Sequence, residues 1–129
     1  MTQQSTANAF GAWMQDVQSD VERALDAFLP AGATLPHKLH EAMRYTTLGG
    51  GKRIRPLLAY GSGALFGGDP KALARVASAV EMIHVYSLVH DDMPCMDDDD
   101  LRRGKPTVHV AYDEATALLV GDAHGRLAA

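Results

Sequence analysis

Six aspartates fall within the stretch VHDDMPCMDDDDLRRGKPTVH, at positions 91, 92, 97, 98, 99 and 100, and Arg102, Arg103 and Lys105 follow at once. Carboxylates without a neighbouring set of His and Cys ligands suit hard divalent cations, Mg²⁺ above all. Mg²⁺ commonly takes one or two carboxylates, keeps water and fills its remaining positions with phosphate oxygens. An EF-hand Ca²⁺ loop begun at Asp97 would need Gly and Glu where Arg102 and Val108 stand, which excludes it. On an unbroken helix Asp91 and Asp97 would point about 120° apart. Pro94 lies between them and is expected to kink or end the helix. The interruption at Met93–Met96 can therefore bring Asp91 and Asp97 round one metal cluster.

A second group of cations sits in GGGKRIRP, Gly49 to Pro56, where Lys52, Arg53 and Arg55 follow three glycines. Backbone without a Cβ can approach a ligand closely. This is not a Walker A loop, because Thr46 holds the place of its first glycine and Arg53 the place of its Ser or Thr. Guanidinium groups suit bidentate contacts to phosphate oxygens. Mg²⁺-binding carboxylates between two basic clusters form a constellation for diphosphates. Composition alone leaves a plain surface mosaic of charge as the alternative.

The elements that must carry these residues read as helices. Phe10, Trp13, Met14, Val17, Val21, Leu25 and Phe28 recur at helical spacing over about Ala9–Leu29. A second helix is expected from Pro36 to Thr47 and a third from the basic loop to about Phe66. Gly67-Gly68-Asp69-Pro70 reads as a stop and restart, with Asp69 as N-cap and Pro70 in the first turn. The fourth helix, Pro70 to about Asp92, carries Leu73, Val76, Ala77, Val80, Ile83, His84, Ser87 and Asp91 along one stripe. Its end turns polar, and His84 and Asp91 lie about 20° apart on one face. That pattern fits a helix lining a pocket, or a partly exposed helix end. Leu101–Thr107 reads as loop, Asp113 as the cap of a last helix from Glu114, and no segment alternates as a strand does. The expected fold class is all-α.

The chain has 129 residues, 47% hydrophobic and 22% charged, which fits one globular domain. A net charge of −4 argues for neither a nucleic-acid partner nor a membrane surface. The single cysteine, Cys95, rules out an intrachain disulfide and fits a reducing, cytoplasmic setting. MTQQSTANAFGAWM lacks the pattern of a signal peptide, and no membrane span is expected.

GGGKRIRP, EMIHVYSLVHDDMPCMDDDDLRRGKPTVH and EATALLVGDA together resemble the trans-isoprenyl diphosphate synthases, most closely the bacterial farnesyl diphosphate synthases, from about residue 37 to Ala123. The resemblance implies an antiparallel helix bundle round a deep cavity, homodimeric when intact. It implies Mg²⁺-dependent condensation of isopentenyl diphosphate with an allylic diphosphate, dimethylallyl or geranyl, through an allylic carbocation. It places Asp91, Asp92 and Asp97 in the metal-binding and catalytic motif, and Arg102 against the allylic diphosphate. It places Lys52, Arg55, His84 and Arg103 at the isopentenyl diphosphate. Tyr86 and Ser87 match positions that limit product length; with the extra Pro94-Cys95 they imply the farnesyl product. Asp98, Asp99 and Asp100 are expected to be solvated or to support the ligands from behind. His90 and His109 are expected to be ordinary hydrogen-bonded histidines.

The family pattern continues GDA with a leucine-rich helix, whereas this chain reads GDAHGRLAA, so residues 124–129 form an off-pattern tail. Residues 1–129 are expected to be the N-terminal portion of one polyprenyl synthase domain. The second aspartate-rich motif of the family has no counterpart after Asp122. The chain alone is accordingly expected not to turn over. The other reading is a non-catalytic helical module that binds Mg²⁺ and diphosphates or serves as an interaction partner.

Overall fold

A computed structural model describes residues 3–129. Helix α1 spans Gln3–Phe28, α2 His37–Thr47, α3 Ile54–Leu65 and α4 Pro70–Asp91. A small antiparallel ribbon follows, β1 Leu101–Arg102 with β2 Lys105–Pro106. The short α5, Val108–Ala111, and α6, Glu114–Ala128, complete the described chain. The all-α expectation holds apart from the ribbon, which stands where a loop was expected. Its turn residues Arg103 and Gly104 have φ of 52° and 75°. Positive φ at both central positions is the geometry that matches the twist of paired strands, so two residues suffice to reverse the chain.

The helix boundaries follow the local chemistry. Asp69 accepts a hydrogen bond from the Ala72 amide at 3.1 Å, and Pro70 occupies the first turn of α4. Asp113 caps α6 through the Thr116 amide at 2.7 Å and pairs with Lys38 of α2. The hydrogen bond from Lys38, with those from Thr116, holds the Asp113 carboxyl well below the usual carboxylate range.

Helix α4 is central and packs on α1, α2, α3 and α6. It runs antiparallel to α6, since His90 near its end reaches the Leu118 carbonyl while Arg75 and Met82 face Leu127 and Ala128. Its buried stripe is Ala77, Ser78, Glu81, Met82, Val85 and Val89. This corrects the expected stripe: Val76 and Ile83 are 53% and 49% exposed. The core shared with Val17, Val21, Leu25 and Leu29 of α1 and with Ala117 and Val120 of α6 draws the other side of α4 inward. By length and composition α4 could cross a membrane, against the expectation that no segment could. Here it packs on four other helices and leaves one face, with Val76 and Ile83, exposed.

One cation is built into this core. Arg53 is 4% exposed and adopts φ 54° as the residue preceding α3. Its Nε and Nη2 donate to one oxygen of Glu22 on α1 at 2.8 and 2.6 Å. Nη2 also donates to the Thr47 carbonyl at 2.6 Å, and Nη1 lies 3.5 Å from Glu81 on α4. Gln18, one turn before Glu22, donates to the Lys52 carbonyl at 2.9 Å. A buried charge is tolerated only when paired, so this guanidinium ties three helices and the basic loop together. Thr47 in turn meets His124 of α6, fully buried, whose Nδ1 lies 2.9 Å from the Val120 carbonyl.

Two predictions follow from these buried groups. Arg53→Ala should cost about 3–5 kcal/mol in urea unfolding, because it strands two carboxylates. Burial lowers the His124 pKa below 6.5, so the folded chain holds it neutral. The unfolded chain then binds more protons below pH 6.5. Stability should therefore be full above that pH and fall as pH drops through it, and His124→Gln should flatten the fall. Chemical unfolding across pH checks this.

Candidate functional site

A groove of about 190 Å³ opens between the inner face of α4, the end of α2 and the ribbon. Glu81, His84, Val85 and Leu88 of α4, with Asp92 just after its end, form one wall about three helical turns long. Arg102, Arg103 and Lys105 close it from the ribbon side, and Tyr45 and Thr46 from α2. The side chain that binds this groove together is Asp92. It is 3% exposed and accepts from Arg102 Nε and Nη2, each at 2.8 Å and each on its own carboxylate oxygen. That hydrogen bond raises the Arg102 pKa still further, so the guanidinium is a permanent cation.

The ribbon is tied down on its other side as well. Arg103 donates to the Gly50 carbonyl at 2.7 Å. Lys105 donates to the Tyr45 carbonyl at 3.2 Å and lies 4.3 Å from the centre of the Tyr45 ring. The Tyr45 hydroxyl donates to the Pro106 carbonyl at 2.7 Å. The ribbon cluster thus reaches the glycine-rich basic loop about fifty residues earlier in the chain, from which Arg53 lines the same groove.

His84 lies in the middle of them. Its pKa is lowered below 6.5 first by burial, then by Arg55, with Arg102 and Arg103 adding to the effect and Glu81 opposing it. Three of the cations expected at diphosphates therefore act on one imidazole, which is held neutral and free to hydrogen-bond. Arg55 stands in the first turn of α3, and Lys52 in the loop before it; both are exposed. A helix N-terminus adds its own positive dipole there.

The acidic run divides. Helix α4 ends at Asp91, and the chain turns through Pro94 so that the Asp97 amide donates to the Asp91 carbonyl at 2.8 Å. The Asp99 amide donates to the Asp92 carbonyl at 3.0 Å. Asp91 and Asp97 are exposed on this turn. Asp92, expected with them in the metal-binding motif, is buried and turned inward to Arg102. Its position at the end of the buried register of α4 is the reason, one turn beyond Leu88, two turns beyond Val85 and near Val89. Asp98 and Asp100, expected to be solvated or to support the ligands from behind, and His109, expected to be an ordinary hydrogen-bonded histidine, carry ligand atoms that all lie within 4.8 Å of one another. His109 also lies 3.3 Å from the Thr107 hydroxyl.

Tyr86 and Ser87 stand apart from the groove lining. Tyr86 packs edge-on against His90, with ring centres 5.3 Å apart, and His90 bonds to α6. The Ser87 hydroxyl donates to the His84 carbonyl at 2.7 Å. Cys95 is an exposed thiol in the turn after α4. Sequence reasoning missed Glu22, Glu81 and Tyr45. Glu81 had a usable signal, as a carboxylate inside an apolar register that must find a cation. Tyr45 had none, since its partner lies sixty residues away.

Residues 36–128 match the polyprenyl synthetase family. The chain is 49% identical over 114 residues to farnesyl diphosphate synthase of Haemophilus influenzae, covering 88% of this chain and 39% of that protein. It is 51% identical over 114 residues to the heterodimeric geranylgeranyl pyrophosphate synthase large subunit 2 of Arabidopsis thaliana, covering 88% and 30%. Among solved structures, the apo FPP/GFPP synthase of Zymomonas mobilis superposes with a TM-score of 0.89 at 54% identity, covering 95% of this chain and 44% of that one. The geranyltransferase of Legionella pneumophila superposes with a TM-score of 0.90 at 42% identity, covering 95% and 43%. The chain thus spans less than half the length of these relatives. The family match over residues 36–128, the identities and the superposition make this chain a member of the polyprenyl synthetase family.

Proposed function

We propose that this chain supplies the diphosphate-binding helices of a prenyltransferase. The reaction joins isopentenyl diphosphate to dimethylallyl diphosphate and then to the geranyl diphosphate so formed, each round releasing diphosphate and a proton, and the final product is farnesyl diphosphate. The observation that carries this reading is the groove itself. His84, Arg102 and Arg103 line it together, burial and the nearby arginines lower the His84 pKa, and the exposed Asp91 and Asp97 stand on the turn at the same end of α4. The donor set fits Mg²⁺: hard carboxylate oxygens, exposed and held near each other by a backbone hydrogen bond, with room for water and phosphate oxygens. Bound Mg²⁺ would supply charge neutralisation on the leaving diphosphate.

The residues divide the work. Lys52, Arg55, His84 and Arg103 hold the diphosphate of the isopentenyl substrate. Arg102 holds that of the allylic substrate, whose departure leaves a carbocation for the isopentenyl double bond to attack. Oriented donors of this kind stabilise the departing negative charge. Tyr86 and Ser87, on α4 before the acidic turn, are proposed to set product length at farnesyl. A homodimer is the proposed assembly. Leu118 and Leu119 on α6, 49% and 54% exposed, are apolar surface available for packing.

The approach of Arg103 to the basic loop depends on Gly51. Its φ is 121°, and a Cβ there would come within 2.2 Å of Arg103 Nη1. Gly51→Ala should strain the backbone and displace Arg103 from Gly50, weakening isopentenyl diphosphate binding by about tenfold, as for loss of one charge-assisted bond. Calorimetric titration with isopentenyl diphosphate measures it. His84 gives a direct reporter of the function. An anion placed beside it favours the imidazolium, so its NMR-detected pKa should rise from below 6.5 when inorganic pyrophosphate and Mg²⁺ are added. An unmoved His84 at saturating pyrophosphate would remove the basis of the reading.

A further inference from the structure

We infer that Glu81 is a positioning residue for His84, and that the second oxygen of its carboxylate is the acceptor holding the imidazole, as a charged donor, against a diphosphate in the groove. The inference rests on the diphosphate reading of that groove and adds to it the group that balances His84.

Glu81 is 5% exposed and lines the groove beside His84 and Val85. Its Oε1 lies 3.5 Å from Arg53 Nη1, but its Oε2 is buried without a hydrogen-bond partner among the described residues. Arg53 makes its close bonds elsewhere, to Glu22 at 2.8 and 2.6 Å and to the Thr47 carbonyl at 2.6 Å. A carboxylate oxygen kept from water without a donor is costly, and pairing with Arg53 does not use it. The other buried atom in that condition, Ser78 Oγ, belongs to a residue that lines a separate cavity with Phe28, Met82 and Leu127. His84 stands three residues after Glu81, a spacing that makes helix side chains neighbours. The charged groups acting on the imidazole are Arg55 from α3, Arg102 and Arg103 from the ribbon, and Glu81. Burial and the arginines oppose its protonation, and Glu81 favours it. Tyr45 of α2, Arg53, Asp92 and Lys105 line the same groove. A diphosphate there reverses the balance, because it brings negative charge up to a buried carboxylate, and like charges in one site repel. A cation between the two removes the repulsion. Protonated His84 has two N–H donors, one for each anion. Its proton comes from solvent, so diphosphate binding near neutral pH takes up a proton.

The test uses the full chain with inorganic pyrophosphate and Mg²⁺, followed by calorimetry and by NMR titration of the His84 ring. Glu81→Gln keeps the size of the side chain and an oxygen for Arg53, but removes the charge. It should weaken pyrophosphate by about tenfold at neutral pH and abolish more than about half of the rise in the His84 pKa on binding. In a His84→Asn background, adding Glu81→Gln should change pyrophosphate affinity by less than about twofold, because the two residues act as one unit. A crystal structure of the unsubstituted chain with Mg²⁺ and pyrophosphate gives a reading that needs no variant, should Glu81→Gln not fold. It should show one His84 ring nitrogen within hydrogen-bond distance of Glu81 Oε2 and the other facing the anion. A residue that only pairs with Arg53 would behave differently. Glu81→Gln would then lower stability in urea and leave the His84 rise on binding intact, and its loss of affinity would add to that of His84→Asn. Either result, or a bound His84 ring turned away from Glu81, would overturn the inference. Absence of any pyrophosphate binding by the unsubstituted chain would sink the functional reading itself, and this inference with it.

Discussion

A guanidinium buried among helices leaves little freedom to its surroundings. Arg53 is charged at every accessible pH, so its burial requires that Glu22, Glu81 and the Thr47 carbonyl arrive together. These partners belong to α1, α4 and the end of α2. Helix packing alone would let each of them slide along its neighbours by a fraction of a turn. The shared cation removes that slack. It also faces inward from the middle of Lys52-Arg53-Ile54-Arg55, which leaves Lys52 and Arg55 exposed on either side of it. The two exposed cations are placed by a buried one.

Much of this was legible in the sequence. The order and limits of the helices follow from caps, glycines and prolines whose effects are local, as at Asp69-Pro70 and Asp113. The opposition of carboxylates and cations was legible from residue types alone, and the family resemblance named the residues most concerned. What sequence spacing does not carry is which member of a charged run turns inward. Asp91 and Asp92 are neighbours of identical chemistry, and the 100° step of a helix sends one to solvent and the other to Arg102. The register of α4 was displaced for the same reason, since its Leu, Val and Ile residues are spread round most of the helix. Only the shapes of α1 and α6 decide which of those faces is covered.

Among the described residues, the non-glycine positions with positive φ are Arg53, Asp98 and Arg103, and Arg53 and Arg103 line the groove. Each sits in a backbone region that side chains with a Cβ enter at some cost. Arg53 and Arg103 recover that cost through hydrogen bonds to distant segments. The local strain and the long-range bonds are therefore two sides of one arrangement, in which tertiary contacts hold the loop in conformations its own sequence would not choose.

The ribbon shows where such dependence leads. Its strands are two residues long, and Arg102 faces Lys105 across them. A hairpin of that size has no stability of its own, and like charges opposed across it repel. It persists because the two cations are drawn apart, Arg102 to the end of α4 and Lys105 to α2. The ribbon is thus a tensioned span between two anchorages. Its shape reports the separation of α2 from α4, and any change in that separation is passed to the cations it carries.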